Sequence, residues 1–330
     1  MYQVPYLTRA IVVREKGGPE VMRAEEIELP PPGPGEARVR HEAIGLNYID
    51  VYFRRAWYTP PAYPFVPGME AAGVVEALGT GVRDLAVGDR VAYASRPLGA
   101  YAAARNIQSD RLVALPRSID AKTAAAAMLK GMTAEYLLRR VFRVEAGHRV
   151  LVHAAAGGVG TLLCQWAKHL GATVIGTVGS DEKAARAQAH GCDHPIVYTR
   201  EDFVARVAAI TGGEGVHVAY DSVGKDTFLR SIECLAPMGM IALYGHSSGA
   251  VDPLDVTILA RKSLFLTRPG LPDYTAKRAD LLASARELFG MIEKGLLDVR
   301  PEREVPLADV VQAHRDLEAR RTSGATILVP

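Results

Sequence analysis

Hydrophobic and polar positions follow a period of two in the first part of the chain. Between residues 36 and 43, apolar side chains and His41 alternate with charged ones, which predicts a strand with one face in water. Short strands with frequent interruptions are typical of a small barrel-like β domain. Further apolar runs cover residues 10–13, 73–78, 89–94 and 112–115, with proline-rich breaks at 29–35 and 60–68.

The pattern changes near Ser118, and strands alternate with helices from residue 149 onward. Ser118 is a candidate N-cap for a helix over residues 121–129, and a second helix over 133–142 follows Gly131. Repeated β–α–β units then predict a parallel, doubly wound sheet in an α/β fold. Its predicted strands cover residues 149–153, 172–178, 196–197, 216–220 and 240–244. Its predicted helices cover residues 159–170, 181–190, 201–210 and 227–235. The tail is predicted to add helices at 277–294 and 307–321 and a strand at 326–329.

The composition narrows the class of protein. The chain has 330 residues, 48% hydrophobic and 23% charged, which suits two folded domains and excludes a mainly disordered chain. A net charge of +2 without a basic block argues against nucleic acid and anionic membranes as partners. No apolar run reaches the ~18 residues of a membrane span, and residues 1–14 do not resemble a signal peptide. Three cysteines without a C-x-x-C pair indicate reduced thiols in the cytoplasm.

The main chemical motif lies at the first strand–helix junction of the alternating part. Apolar residues 150–152 lead into the run His-Ala-Ala-Ala-Gly-Gly-Val-Gly at 153–160, and a predicted helix follows. Gly157 and Gly158 allow a pyrophosphate to approach the backbone, and Gly160 allows the helix to pack tightly on the strand. The phosphates then meet free N–H groups at the positive end of the helix. The run predicts a dinucleotide-binding turn, and its alternative is a tight structural turn.

The end of the next strand indicates which dinucleotide binds. NAD sites usually place a carboxylate there to accept a hydrogen bond from the ribose 2′-OH, whereas this strand is followed by Gly179 and Ser180. Lys183 comes one turn later and is placed to reach a 2′-phosphate, unless it is a solvated helix lysine. The acidic residues at 181–182 weaken this assignment, unless they only charge the first helical turn. The sequence therefore favours NADPH over NADH.

Seven short motifs spread over nearly the whole chain occur together in one known family. They lie at residues 17–21, 43–50, 70–73, 86–91, 129–133, 153–160 and 220–224. The chain therefore resembles the quinone oxidoreductase, or zeta-crystallin-like, branch of the medium-chain dehydrogenase/reductase superfamily. The resemblance implies a GroES-like β-rich substrate domain at residues 1–128 plus 268–330, with a Rossmann NADPH-binding domain inserted at 129–267. It also implies a homodimer joined edge to edge through the Rossmann sheet.

The same resemblance bears on metal chemistry. Zinc alcohol dehydrogenases of this superfamily carry a cysteine near the position of Asn47 and Gly-His-Glu where this chain has Gly68, Met69 and Glu70. A catalytic zinc needs three protein ligands, and neither Asn47 nor Met69 supplies the expected one. We expect no metal, and His153 as a packed core residue. The reaction is then hydride transfer to an acceptor that is already electrophilic, such as a quinone or an α,β-unsaturated ketone.

The resemblance also implies two groups of site residues. Asn47 and Tyr52 are the candidate catalytic residues. Tyr52 either donates to a quinone oxygen, as a weak acid with an ordinary pKa of about 10, or only lines the pocket. The implied cofactor contacts are Asn47, Tyr48, Ile49, Asp50, Lys130, Thr133, Tyr136, Gly157, Gly158, Val159, Gly179, Ser180, Lys183, Tyr198, Val223, Gly245, Ser247, Pro269, Gly270, Leu271 and Arg320.

Three functions stay open at this stage. The first is an NADPH-dependent quinone reductase, and the second is an alkenal or enone double-bond reductase on the same cofactor. The third is of a different class: a zeta-crystallin-like, nucleotide-regulated RNA-binding or structural protein. The balanced charge and the absence of basic–aromatic clusters argue against RNA. We therefore expect an enzyme whose partners are a small electrophilic acceptor and a second copy of itself.

Overall fold

Two units of the chain each have their own sheet. The structure, a computed structural model, describes residues 5–330, so the first four residues of the predicted 1–128 domain and of the N-terminal segment lie outside it. Unit 1 comprises Met1–Leu129, Thr275–Glu293 and Val299–Pro330, and unit 2 comprises Lys130–Tyr274 and Lys294–Asp298.

Strands and helices within residues 5–330 are labelled in chain order. The strands are β1 (Tyr6–Val13), β2 (Met22–Leu29), β3 (Glu36–Gly45), β4 (Glu70–Leu78), β5 (Arg90–Ala94), β6 (Ala104–Gln108), β7 (Val113–Ala114), β8 (Arg149–Val152), β9 (Thr173–Val178), β10 (His194–Val197), β11 (Val216–Asp221), β12 (Leu235–Leu243), β13 (Phe265–Thr267), β14 (Pro301–Pro306) and β15 (Ala325–Val329). The helices are α1 (Tyr48–Arg54), α2 (Ala121–Tyr136), α3 (Gly158–His169), α4 (Asp181–Ala189), α5 (Phe203–Ile210), α6 (Phe228–Glu233), α7 (Leu271–Tyr274), α8 (Arg278–Glu293) and α9 (Val310–Glu318).

Unit 1 is built on a sheet in which β3 is central. The strand order is β14-β15-β3-β4-β5-β7, with β6 also paired to β3, and β1 and β2 form an antiparallel pair of their own. Side chains such as Val39, Val75 and Ile107 are buried in the core of this unit, and Val39 lies in the segment 36–43 for which the period of two predicts a strand. The charged strands β2 and β14 escaped the sequence analysis because most of their side chains are partly or fully exposed.

Unit 2 is a parallel sheet with the order β10-β9-β8-β11-β12-β13. The doubly wound α/β prediction is therefore confirmed. The strand order runs outward from β8 in both directions, which places a topological switch point between β8 and β11. Sheets of this kind bind ligands beyond the carboxyl ends of the strands at that point. The core of the unit includes Leu151, Ile175 and Ile241.

One helix replaces the two predicted before residue 149. The prediction of a break at Gly131 is wrong, because α2 continues to Tyr136 and then passes into a π-helical turn, Leu137–Val141. A single glycine costs a helix only about 1 kcal/mol relative to alanine, and the neighbouring side chains are buried. Ser118 is not the N-cap. Asp120 Oδ1 accepts a hydrogen bond from Thr123 N at 2.7 Å, whereas the Ser118 hydroxyl donates to Glu293.

Candidate nucleotide and acceptor sites

The turn after β8 presents backbone where the sequence predicts the pyrophosphate. α3 begins at Gly158, and its N-cap is Gly157, which has no side chain to cap the helix. The next helices differ, because Ser180 caps α4 and Asp202 caps α5 through side-chain oxygens. The first N–H groups of α3 therefore face the end of the sheet without a side-chain cap, which suits an anionic ligand.

Close backbone packing explains the glycines of this turn. A Cβ on Gly160 would overlap the carbonyl oxygen of Ala154, and one on Gly157 would lie 3.1 Å from the same oxygen. Ala154 itself has a left-handed φ of 52°. Any side chain at 160 would push the turn away from the helix, so the turn needs glycine there. Gly157, Gly158 and Val159 lie at the uncapped start of α3, and this arrangement fits the phosphates of a dinucleotide.

A second loop cluster collects the predicted adenosine-phosphate residues. Ser180 Oγ accepts a hydrogen bond from Lys183 N at 3.3 Å, which fixes the start of α4. Tyr198 follows β10, and its hydroxyl would lie 3.1 Å from a Cβ on Gly179, so the ring lies beside the loop. Tyr198 is 40% exposed and is therefore not a simple core ring. The structure thus brings Gly179, Ser180, Lys183 and Tyr198 together.

The ends of β11 and β12 are joined by a residue that sequence reasoning did not single out. Asp221 is fully buried, and its Oδ1 accepts from Val223 N at 2.8 Å and from Gly224 N at 3.0 Å. The Asp221 carbonyl accepts from Gly245 N at 3.3 Å, and Ser247 N donates to Ser222 O at 3.1 Å. Val223, Gly245 and Ser247 thus lie at one edge of the sheet, and Pro269, Gly270 and Leu271 follow the neighbouring strand β13.

The predicted residues of α2 share one face of that helix. Lys130, Thr133 and Tyr136 are spaced three apart and are all buried. The Tyr136 ring stacks on Tyr274 at 4.4 Å between centroids with an interplanar angle of 9°. Arg140 Nη1 donates to the Tyr274 carbonyl at 3.1 Å, and its guanidinium lies over that ring. One face of Tyr136 is therefore already covered by protein.

In unit 1, Asn47 is the N-cap of α1 and is held by its amide nitrogen. Asn47 Nδ2 donates to Glu70 Oε2 at 2.7 Å and to Gly45 O at 3.3 Å. Both amide hydrogens are thereby used inside the protein, and the hydrogen-bond network assigns this orientation. The oxygen Oδ1 faces the backbone N–H of Asp50 in the capping box of α1. It accepts a hydrogen bond and cannot donate one to a quinone oxygen.

Glu70 is the residue that orients Asn47, a role the sequence did not reveal. Its side chain is fully buried, and Oε1 accepts from Leu129 N at 2.6 Å. A Cβ on Gly45 would overlap Glu70 Oε2, so the glycine makes room for the carboxylate. Glu70 lies in the sequence motifs at 68–70 and 70–73, which carry no information about these partners. At position 47, where the family resemblance leads to the comparison with a cysteine of zinc alcohol dehydrogenases, this chain has an amide hydrogen-bonded to a carboxylate.

A buried polar network ties α1 to α9 within unit 1. Tyr101 donates to Asp50 Oδ2 at 2.8 Å and contacts His314 Nε2 at 3.1 Å. His314 Nδ1 accepts from Arg54 Nη1 at 2.7 Å. Burial lowers the pKa of His314 to about 3, with Arg54 adding to the effect, so the imidazole is neutral. Asp50 is fully buried and also accepts from Asn47 N at 3.0 Å, so it holds the helix start.

Tyr52 lies inside a cluster of aromatic rings. Its ring is 5% exposed and stacks on Trp57 at 5.8 Å with an interplanar angle of 26°. The rings of Tyr48 and Tyr58 lie 5.4 Å and 5.1 Å from it. Trp57 is 43% exposed and offers the outer face of the cluster. Sequence reasoning missed Trp57, although its position five residues after Tyr52 was visible.

Arg320 follows α9 in a left-handed conformation, with φ at 57°. Glu318, at the end of α9, accepts from Arg54 and from Arg55, each at 2.5 Å. Burial and the charge of Glu318 raise the pKa of Tyr48, and the charges of Arg55 and Arg320 oppose this rise. The charge of Arg320 thus acts on Tyr48, although the two residues lie far apart in the sequence.

His153 is packed in the core of unit 2, as expected. Its two ring nitrogens lie 2.8 Å from Thr177 Oγ1 and 2.8 Å from Ser231 Oγ. Across residues 5–330, no group of three or more His, Cys, Asp or Glu side chains is arranged to hold a metal ion. Over the same residues, every helix is too short or too polar to cross a membrane.

Two protein-family models match the chain. The family described as "Alcohol dehydrogenase GroES-like domain" matches residues 33–143, which lie mostly in unit 1. The family described as "Zinc-binding dehydrogenase" matches residues 158–283, which lie mostly in unit 2. Together the two models cover the central two thirds of the chain.

Curated proteins and solved structures match over almost the full length. A quinone oxidoreductase of Pseudomonas aeruginosa is 48% identical over 95% of this chain and 97% of its own. A 2-haloacrylate reductase of a Burkholderia species is 44% identical over 98% of this chain and 99% of its own. The crystal structure of Escherichia coli quinone oxidoreductase complexed with NADPH is 45% identical with a TM-score of 0.95, over 98% of this chain and 100% of that chain.

Proposed function

The chain belongs to the quinone oxidoreductase branch of the zinc-independent medium-chain dehydrogenase/reductase superfamily, and we propose that it reduces quinones with NADPH. The protein is an oxidoreductase with a Rossmann-like unit 2 and a GroES-like unit 1. The observation that carries the proposal is the solved NADPH complex of the Escherichia coli relative, at 45% identity. We take the domains as residues 1–128 plus 268–330 and residues 129–267.

We assign the cofactor contacts by unit. In unit 2, the uncapped start of α3 takes the pyrophosphate, Ser180 and Lys183 take the 2′-phosphate, and Tyr198 lies by the adenine. When bound, NADPH supplies the hydride. The remaining proposed contacts are Ile49, Asp50, Asn47, Tyr48 and Arg320 in unit 1, with Lys130, Thr133, Tyr136, Gly179, Val223, Gly245, Ser247, Pro269, Gly270 and Leu271 in unit 2.

Unit 1 contributes orientation and an aromatic surface. Because Glu70 holds the Asn47 amide nitrogen, Asn47 Oδ1 is oriented as an acceptor: one lone pair faces Asp50 N in the capping box, and the second can accept from a ligand N–H or O–H. Trp57 and the rings behind it offer a flat apolar face, which suits a quinone ring and keeps water from that side. The protons taken up by the product oxygens come from water or from the Tyr52 hydroxyl.

A second reduction is supported by one specific comparison. The Burkholderia relative named 2-haloacrylate reductase is 44% identical, so reduction of an activated carbon–carbon double bond is the alternative. Such a substrate has no aromatic ring to stack on Trp57. It would also need a donor at its carbonyl or carboxylate oxygen, and Asn47 in its observed orientation is not one.

Parallel assays separate these functions. NADPH oxidation is followed with p-benzoquinone, menadione, methyl vinyl ketone and 2-chloroacrylate, each repeated with NADH. We expect turnover with the quinones and a preference for NADPH. Turnover with the enone or the haloacrylate alone would replace the proposal by the double-bond reductase. Tight NADPH binding without turnover on any acceptor would remove the quinone proposal.

A binding role needs a different assay. RNA retention on nitrocellulose is measured with and without NADPH, at low and at moderate salt. We expect no salt-sensitive retention, in line with the net charge of +2. Retention that NADPH abolishes would instead support the RNA-binding class.

We also propose a cytoplasmic homodimer. In unit 2, β13 is an edge strand of the sheet, and its Phe265 and Leu266 side chains are 56% and 38% exposed. Exposed apolar residues on an open edge favour pairing with another strand. Light scattering after gel filtration should give twice the chain mass of 35.5 kDa, and Phe265→Lys should halve it. The three cysteines are buried free thiols, which is compatible with the cytoplasm, and cell fractionation checks that location.

A further inference from the structure

A bidentate ion pair lies on the loop cluster to which we assign the 2′-phosphate. Arg200 Nη1 and Nη2 donate to Asp181 Oδ2 and Oδ1 at 2.6 Å and 2.5 Å. Asp181 is the first residue of α4 and directly follows Ser180. Neither the motifs nor the family resemblance drew attention to Arg200.

The sheet holds Arg200 beside this cluster. Val197 of β10 is the register partner of Val178 of β9, so the segments after these two strands leave the sheet side by side. Thr199 Oγ1 donates to Gly179 O at 3.3 Å, which ties the second segment to the first. Arg200 is therefore fixed by its backbone to the place where the phosphate loop begins.

The pair also explains how Asp181 is compatible with a phosphate. A bare carboxylate beside a 2′-phosphate would repel it, and the repulsion would be stronger where water is excluded. Hydrogen bonding to Arg200 lowers the pKa of Asp181, so the carboxylate is ionised and its charge is balanced by the guanidinium. Asp181, the first residue of α4, is thereby prevented from repelling the phosphate.

Arg200 has the chemistry to do more than balance a charge. A guanidinium carries five N–H donors in a planar fork that matches phosphate oxygens, and Asp181 occupies only one edge of it. The side chains of Arg200 and Asp181 are 57% and 73% exposed, so the pair itself adds little to stability. Turning part of the fork toward a ligand therefore costs the fold little.

We propose that Arg200 selects NADPH over NADH by donating to the 2′-phosphate while it stays paired with Asp181. This assignment rests on the proposed NADPH site and adds a specificity residue to it. It also predicts opposite effects for the two members of the pair. Loss of Arg200 removes a donor and exposes the Asp181 charge, whereas loss of the Asp181 charge releases the whole fork to the phosphate.

Coenzyme titration of four variants tests the assignment. The variants are Arg200→Ala, Asp181→Asn, the double variant, and Arg230→Ala as a matched control, because Arg230 pairs with Asp202 at 2.6 Å on the same unit with similar exposure. We expect Arg200→Ala to raise the Kd of NADPH about tenfold and that of NADH less than about twofold. Asp181→Asn should tighten NADPH by about threefold, and the double variant should stay several-fold weaker than Asp181→Asn alone.

Each contrary result is distinct. Equal weakening of NADPH and NADH by Arg200→Ala, or an effect no larger than that of Arg230→Ala, would overturn the assignment. A double variant that binds NADPH as well as Asp181→Asn would show that Arg200 acts only by masking Asp181, which also overturns the direct contact. Binding is measured without an acceptor, so a folded wild-type chain that binds neither coenzyme would instead refute the proposed function.

Discussion

The turn after β8 in unit 2 and the α1 segment in unit 1 are built in opposite ways. The turn, residues 153–160, offers a ligand backbone N–H groups that no side chain caps. The α1 segment, residues 47–58, offers side chains whose positions depend on Glu70, Tyr101 and His314 elsewhere in the unit. The first site is set by local conformation, and the second by contacts between distant parts of the chain.

The two sites differ because a pyrophosphate and an electron acceptor require different things of a binding site. A pyrophosphate is the same in every dinucleotide, so close backbone approach is sufficient and leaves little room for variation. An acceptor differs from enzyme to enzyme, so its site is made of side chains that can be exchanged one at a time. Changes in the turn should therefore abolish coenzyme binding, whereas changes in the α1 segment should alter rate and acceptor choice.

The largest effect is expected from Gly160→Ala. The new Cβ would overlap the Ala154 carbonyl, and because the atoms it meets are backbone atoms of Ala154 and Ala155, no side-chain movement can make room. The turn must shift, which we expect to weaken NADPH binding at least a hundredfold and to destabilise the fold by about 1–3 kcal/mol. NADPH titration and thermal unfolding measure the two effects.

Gly290→Ala is the matched control for that variant. Gly290 also lies in a helix, α8, and a Cβ there meets nothing within 4 Å. Alanine should leave NADPH binding unchanged and stabilise the helix by up to about 1 kcal/mol. If both glycine variants bound NADPH equally well, the backbone account of the turn would be wrong.

The same contrast explains what the sequence could predict. The glycine spacing after β8 and the alternation of strands and helices are local patterns, and they predicted the parallel sheet and the turn. The Arg54–His314 hydrogen bond joins residues 260 positions apart, and no local pattern signals such a contact. Glu70 was visible as a motif residue, but its two donors, Asn47 and Leu129, became known only from the fold.

Low pH should lower the stability of unit 1, because two of its histidines are buried and neutral. Burial lowers the pKa of His41 to about 4 and that of His314 to about 3, and both rings are neutral links in hydrogen-bond chains. The unfolded chain binds these protons first, near a pKa of about 6.5, so stability is present above that pH and is lost as the pH falls toward the folded values. The shifted pKa of each histidine should lower the free energy of unfolding by about 2 kcal/mol at about pH 5.

Urea unfolding at neutral and acidic pH measures that loss. His314→Gln should lower stability at neutral pH, because it breaks the Arg54–Tyr101 link. His314→Gln should also reduce the slope of the unfolding free energy against pH, because about one proton fewer is taken up on unfolding. An unchanged slope would mean that His314 is not neutral in the folded protein.

Glu70→Gln tests whether the hydrogen bond to Glu70 positions the Asn47 side chain. A glutamine has one oxygen and cannot accept from both Asn47 Nδ2 and Leu129 N, so one buried donor loses its partner. We expect kcat to fall about tenfold while the Kd of NADPH changes less than about threefold, because we assign the phosphates to unit 2. Stopped-flow and equilibrium titration separate these quantities.

Glu76→Gln is the control on the same strand. Glu76 of β4 accepts from Tyr6 at 2.7 Å and pairs with Arg40 at 3.0 Å, at the far end of the strand from Glu70. Its loss should leave kcat unchanged. If Glu70→Gln and Glu76→Gln lowered kcat equally, Glu70 would have only a structural role.

Trp57→Leu should change acceptor choice by a smaller factor. Stacking on an aromatic ring contributes about 0.5–1.5 kcal/mol, so the KM for menadione should rise about threefold to tenfold, with that for 2-chloroacrylate unchanged. The chain has two tryptophans, and Trp166 is 1% exposed against 43% for Trp57. Menadione should therefore quench Trp57 fluorescence, and the variant should lose that quenching.

Tyr63→Leu controls for the loss of an exposed ring. Tyr63 is 39% exposed and packs on Phe65, outside the Tyr52 cluster. Tyr63→Leu should leave the KM for menadione and the KM for 2-chloroacrylate unchanged. A similar rise in both variants would point to general destabilisation of the loop rather than to stacking.

The smallest effect is expected from Tyr52→Phe, because phenylalanine keeps the ring contacts with Tyr48, Trp57 and Tyr58 and removes only the hydroxyl. A phenol is a weak acid at neutral pH, and the oxygens of a reduced quinone can be protonated by water. Quinone turnover should therefore stay within about threefold of wild type, with Tyr58→Phe as the control. A loss of more than tenfold confined to Tyr52→Phe would make the hydroxyl a proton donor, and the α1 segment would then contribute chemistry as well as shape.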